Sequence, residues 1–188
     1  MTRSEVLTVP NGLSVSRIVL LPLLYVLALR GMGLAFTITY ALVGSTDFFD
    51  GLVARRFNQK TATGKALDSI ADLPFYVSSA YFLYKLYPQY IRPNAVLLIL
   101  FFSLLALSFI VSGVTCRKPI MMHTFLLKLN GVLVYFCVIA SYFFDTTLFI
   151  AGILFIYYVG FAEEIVIFIK HGEVDPDSPS IFRILPKQ

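Results

Sequence analysis

Apolar residues along this chain gather into six long blocks, separated by short polar or glycine- and proline-bearing breaks. The blocks run over residues 13–29, 34–49, 70–86, 95–114, 124–144 and 148–169. A helix needs about 20 mostly apolar residues to cross the hydrocarbon of a bilayer. The second and third blocks are short when only their apolar parts are counted. Each is therefore expected to continue as helix into the polar stretch between them, residues 47–72. The breaks fall at Gly31-Met32-Gly33, at Pro88 and Pro93, at Pro119 and at Asp145, residue types that punctuate helices. The pattern predicts an all-α integral membrane protein with six transmembrane helices. Residues 1–11 are too polar for a signal peptide, so the first span is expected to stay as an anchor. Residues 1–170 then form one six-helix membrane domain, and residues 171–188 a short soluble tail.

Composition sharpens this reading. Hydrophobic residues make up 58 % of the 188 positions and charged residues 14 %, too apolar for a water-soluble globule, a disordered chain or a coiled coil. The two cysteines, Cys116 and Cys137, make neither a disulfide framework nor a metal-ligand pattern. The net charge of +4 matters through its placement. Arg3, Arg17, Arg55, Arg56, Lys60, Lys65, Arg117, Lys118, Lys128, Lys170, Arg183 and Lys187 fall on the side of the two termini; only Arg30, Lys85 and Arg92 fall on the other. Basic residues mark the cytoplasmic side, so both termini are expected there, in a multi-pass protein of the cell membrane. No dense basic stripe exists to bind nucleic acid.

The acids then stand out. Asp47 and Asp50 are three residues apart, and Asp68 and Asp72 four apart, so each pair shares one helix face. Carboxylates at the ends of membrane spans are expensive and usually functional. Two antiparallel helices could gather all four into one cluster, whose mutual repulsion would be relieved by one or two divalent cations. Oxygen ligands favour Mg²⁺, Mn²⁺ or Ca²⁺ over zinc. Gly51, Ala54 and Gly64 remove bulk beside the acids, Arg55 suits phosphate oxygens, and Thr61 and Thr63 offer hydroxyls. Cations and arginine around a phosphoryl group are the means of stabilising charge in phosphoryl transfer.

The string Asp47-x-x-Asp50-Gly51-x-x-Ala54-Arg55, followed after eight residues by Gly64-x-x-x-Asp68-x-x-x-Asp72, resembles the signature of the CDP-alcohol phosphotransferases. The opening Pro10-Asn11-Gly12-Leu13-Ser14-x-x-Arg17 is similar to that family's N-terminal segment. The resemblance implies an active site at the cytoplasmic ends of the second and third helices. Asp47 and Asp68 would bridge two ions, Mg²⁺ or Mn²⁺, with Asp50 on the first and Asp72 on the second. Asp72 would also be the base for the acceptor hydroxyl. Gly51, Arg55 and Thr61 would contact a CDP-linked lipid, with Asn11, Gly12, Leu13 and Ser14 near the cytidine. A homodimer is implied as well. The expected reaction carries a phosphatidyl group from CDP-diacylglycerol to an alcohol and releases CMP.

The acceptor is less marked. Arg117, Lys118, His123 and Lys128 would suit a phosphate-bearing alcohol such as glycerol 3-phosphate or inositol phosphate. Serine or a second lipid stays open, and Lys128 could instead snorkel to headgroups. Glu163 and Glu164 sit unusually within the sixth span, where one could line a polar cavity or a dimer contact and one could lie near the cytoplasmic water. Two other functions compete. A membrane prenyltransferase also uses aspartates and Mg²⁺, but needs two acidic motifs far apart in sequence and more spans. A transporter with a carboxylate ion path predicts repeats and mid-membrane acids, and leaves Gly51, Ala54, Arg55 and Gly64 without a role.

Overall fold

A computed structural model describes residues 9–56, 62–117, 120, 122, 124–175 and 178–184, and their side chains except at 9–10, 47–56, 62–70 and 72–73. Six long helices account for nearly all of it: α1 (Val9–Leu29), α2 (Gly33–Arg56), α3 (Ala62–Leu86), α4 (Ala95–Cys116), α5 (Phe125–Ala140) and α6 (Thr147–His171). One isolated bridge, Ser180 with Arg183, is the β pairing among the described residues. The six helices coincide with the six apolar blocks, and α2 and α3 do run on into the polar stretch between them.

Three segments among the described residues are long and apolar enough to cross a membrane: Asn11–Leu29, Pro88–Cys116 and Thr147–His171. Gly33–Thr46 and Phe125–Ala140 are shorter apolar helices. The distribution of polarity is that of a membrane protein. On α4 the buried positions are Ser108 and Ser112, whereas Val96, Ile99, Phe102, Ile110 and Val114 face outward. A soluble helix would turn these round. In lipid, small polar residues line the helix contacts and apolar ones meet the solvent.

The chain divides into two compact units. The first comprises residues 1–88 with 138–144. Its α1 ends in a Schellman turn: Gly31 takes φ +68, the Met32 N–H donates to the Leu27 carbonyl at 3.0 Å, and the Gly31 N–H donates to that of Ala28 at 3.2 Å. Glycine fits this left-handed position without steric cost. Leu24 and Ala28 of α1, Phe36, Tyr40 and Val43 of α2, and Ala71, Phe75 and Phe82 of α3 form the core. At Gly33 a Cβ would lie 3.1 Å from the Tyr142 ring, so the bare backbone lets the 138–144 segment approach.

The second unit comprises residues 89–137 and 145–188. The Asn94 amide donates to the carbonyls of Tyr90 and Thr147, both at 3.0 Å, tying the start of α4 to that of α6. The Tyr158 hydroxyl donates to the Leu97 carbonyl, and Phe101 packs on Tyr157 and Phe161. A Cβ at Gly160 would meet the Leu127 side chain at 3.0 Å, which marks a close α5–α6 approach. The described part of the tail returns onto this unit. Val174 joins Met122, Ile167 and Phe168 in a buried cluster, with Ile181 and Ile184 against it.

Candidate active site

On α1, Asn11, Ser14 and Arg17 are buried and recur at three-residue spacing, forming a polar stripe. Gly12 is exposed and Leu13 is half-buried. Arg17 is only 1 % exposed. A guanidinium is rarely enclosed so fully unless charges or polar groups compensate it. The sequence had offered Arg17 as a topology charge and as the end of the N-terminal match. Its spacing from Asn11 and Ser14 was the available sign that it belongs inward.

The acidic positions follow from how α2 and α3 pack. Tyr40 stacks on Phe75 with ring centroids 4.9 Å apart, and its hydroxyl hydrogen-bonds the Ser79 hydroxyl at 2.7 Å. Ser79 also donates to the Phe75 carbonyl at 2.8 Å, so the Tyr40 hydroxyl is the donor in the first bond. Phe36 meets Phe82 edge-on at 5.0 Å. Rising numbers on α2 meet falling numbers on α3, so the two helices are antiparallel. Seven residues make about two turns and about 10 Å of rise. Asp47 lies seven residues beyond Tyr40, Asp68 seven before Phe75, and Asp72 seven before Ser79. These positions therefore continue the contact stripes of both helices toward the same end. Asp50 stands in the same relation to the buried Val43.

The register of α1 reaches the same level. The Tyr25 hydroxyl hydrogen-bonds the Ser78 hydroxyl at 2.8 Å, and its ring lies 4.9 Å from that of Phe82. Counting eight residues back along both helices sets Arg17 level with positions 70–74, and Asn11 lies about two further turns down. The backbones of Asp47, Asp50, Gly51, Ala54 and Arg55 belong to α2, and those of Gly64, Asp68 and Asp72 to α3. Their side chains lie outside the described residues, as do Thr61, Lys118 and His123 entirely. Among the described residues no group of three or more His, Cys, Asp or Glu could hold a metal ion. The donor set offered by the acidic positions is all carboxylate, set on two packed antiparallel helices, and it fits a hard divalent cation such as Mg²⁺ or Mn²⁺.

The basic acceptor candidates belong to the second unit. Arg117 caps α4 in the left-handed region, at φ 59 and ψ 13, and is exposed. Lys128 is exposed in the first turn of α5, with its N–H donating to the Thr124 carbonyl at 3.0 Å. Between them the Ile120 N–H donates to the Ser112 hydroxyl at 3.2 Å and the Met122 N–H to the Glu164 carboxylate at 2.6 Å. The sequence left Glu164 without a specific partner.

A family model described as CDP-alcohol phosphatidyltransferase matches residues 7–163. The chain belongs to the CDP-alcohol phosphatidyltransferase family. The matched region takes in the α1 stripe, both acidic pairs, and Arg117 and Lys128. Among curated relatives, a CDP-diacylglycerol–glycerol-3-phosphate 3-phosphatidyltransferase of Aquifex aeolicus is 41 % identical over 69 residues, covering 37 % of this chain and 39 % of that protein. A cardiolipin synthase (CMP-forming) of Rattus norvegicus is 46 % identical over 67 residues, 35 % of this chain and 22 % of the relative. A cardiolipin synthase (CMP-forming) of Streptomyces coelicolor is 40 % identical over 82 residues, 40 % of this chain and 38 % of the relative. The chain thus spans less than half the length of each of these family members.

Proposed function

We propose that this chain transfers a phosphatidyl group from CDP-diacylglycerol to an alcohol with release of CMP, as a step of phospholipid biosynthesis. The observation that carries this reading is the α2–α3 register. The contacts of Tyr40 with Phe75 and Ser79 set two helices antiparallel, and the full eight-position motif lies on the continuation of that pair. The distribution of lysine and arginine supports six crossings with both termini cytoplasmic, and hence a site open to the cytoplasmic leaflet. Residues 1–170 would be the catalytic membrane domain and 171–188 a cytoplasmic tail. The motif's likeness to the family supports a homodimer.

Within this reading each residue has a task. Asn11, Gly12, Leu13 and Ser14 flank the cytidine. Gly51, Ala54 and Gly64 leave room for the diphosphate, while the Arg55 guanidinium and the Thr61 hydroxyl donate to its oxygens. Asp47, Asp50, Asp68 and Asp72 would hold Mg²⁺ or Mn²⁺, two ions per site, which when bound neutralise phosphate charge. Asp72 takes the proton of the acceptor hydroxyl. That oxygen forms a bond to the lipid-bearing phosphorus, and the bond to the CMP oxygen breaks, so CMP leaves. An aspartate of ordinary basicity suffices here because position replaces base strength.

Glycerol 3-phosphate is the acceptor that Arg117, His123 and Lys128 favour, and the activity for which the Aquifex relative is named agrees. The test is CMP release by the purified chain from CDP-diacylglycerol with Mg²⁺ or Mn²⁺. Separate reactions contain glycerol 3-phosphate, phosphatidylglycerol, inositol, inositol phosphate or serine. Metal-dependent release with glycerol 3-phosphate, abolished by chelator and by Asp47→Asn, is expected. Folded protein that releases no CMP with any acceptor refutes the activity. Release with phosphatidylglycerol alone moves the chain to cardiolipin synthesis.

A further inference from the structure

Glu163 and Glu164 are neighbours on α6, about 100° apart around the helix, so they reach different segments. Glu164 is 1 % exposed and uses both carboxylate oxygens. Oε1 accepts the Met122 N–H at 2.6 Å, and Oε2 accepts the Ser108 hydroxyl at 2.8 Å. Glu163 Oε1 accepts the Ile181 N–H of the tail at 2.9 Å. The tail in turn reaches the start of α5, where the Phe125 N–H donates to the Pro179 carbonyl at 2.9 Å. Ile120 is thereby tied to α4 through Ser112, Met122 to α6 through Glu164, and Phe125 to the tail through Pro179. Met122, Ile167, Phe168 and Val174 pack together.

A buried carboxylate is a costly way to hold a loop where apolar packing alone would serve. What it adds is direction, because it fixes individual backbone N–H groups in place. The residues so fixed lie between Arg117 and Lys128. They also lead into two fully buried polar side chains, Thr124 and Asn130. The Thr124 hydroxyl and both amide atoms of Asn130 have no hydrogen-bond partner among the described residues. The family match ends at residue 163, so Glu164 and the tail lie beyond it.

We propose that Glu164 and Glu163 are positioning residues that fasten Met122 and, at Ile181, the tail onto α6, holding the surface around Arg117 and Lys128 in the shape that binds the phosphate-bearing head of the acceptor alcohol. This rests on the reading that the basic stretch binds the acceptor. The tail is then part of the acceptor site, acting through the loop it clasps.

The experiment is steady-state kinetics on the purified full chain with CDP-diacylglycerol, metal and glycerol 3-phosphate, comparing wild type with Glu164→Ala, Glu164→Gln and Glu163→Ala. Loss of a charged hydrogen-bond acceptor predicts an acceptor KM raised about tenfold or more in Glu164→Ala. Donor KM stays at the wild-type value. Glu164→Gln keeps the shape and one accepting oxygen, so it recovers most of the affinity. Glu163→Ala raises acceptor KM by a smaller factor through the tail. Wild-type acceptor KM in all three variants overturns the proposal, as does a loss confined to kcat and thermal stability. Should Glu164→Ala fail to fold, Glu163→Ala and Glu164→Gln decide by the same criterion. A wild-type protein that releases no CMP with any acceptor refutes the activity itself, which sets that failure apart.

Discussion

Arg117 offers a perturbation in which stability and activity should move in opposite directions. It closes α4 at φ 59, a left-handed backbone that a residue with a Cβ adopts at a cost of about 1–2 kcal/mol. Glycine at this position removes that cost and gives back about 0.5–1 kcal/mol through its greater freedom in the unfolded chain. Arg117→Gly should therefore gain about 0.5–1 kcal/mol, since the side chain is exposed and its packing contributes little. For a chain of 188 residues that corresponds to a Tm rise of about 1–4 °C. Arg117→Ala keeps the Cβ and the strain, so its Tm should stay near wild type. Binding follows charge instead. If the guanidinium meets an acceptor phosphate, either substitution removes a charge-assisted bond of about 1.5–3 kcal/mol, which raises acceptor KM about 10- to 150-fold. Arg117→Lys keeps the charge without the planar fork and should fall between. The assays are thermal unfolding in detergent and CMP release against glycerol 3-phosphate concentration. Equal Tm for the Gly and Ala variants would refute the strained cap, and unchanged acceptor KM in both would refute the phosphate contact.

Two further substitutions probe one residue in each unit. Arg17→Met should reduce CMP release by at least about tenfold, and Arg17→Lys should restore only part of it, because a buried fork cannot be replaced by a point charge; full turnover in the Met variant would make Arg17 structural only. Asp145 is fully exposed, and hydrogen bonds from the Thr147 hydroxyl and N–H hold its carboxyl below its ordinary value of 3.8. A lowered folded-state value means the contribution is present above the unfolded value and disappears as pH falls through the folded one. Wild type should therefore lose a little more thermal stability than Asp145→Asn on going from pH 5 to pH 3, and parallel pH profiles would refute a contribution from the Asp145–Thr147 hydrogen bonds.

What the sequence could reveal depends on whether a residue's partner leaves its own mark in the chain. The acidic positions were legible because helical spacing constrains them. Asp47 with Asp50, and Asp68 with Asp72, occupy single faces whatever the rest of the fold does. The extension of α2 and α3 through the polar stretch was legible from length, since their apolar parts alone are too short to cross a bilayer. Arg17 was half-legible. Its distance from Ser14 and Asn11 places it on their stripe, but its charge fitted the cytoplasmic surplus equally well, and only burial separates the two. Glu163 and Glu164 had no readable partner. The groups they hold are largely backbone N–H donors, at Met122 and Ile181, and a backbone donor is present at every residue except proline. Nothing in the composition of the tail distinguishes a clasp from a loose end either, because Pro179 acts through its carbonyl. Chemistry written in side chains could be read before the fold was known. Positioning done by backbone groups could not, because the N–H groups of Met122 and Ile181 that take this role look in the sequence like any others.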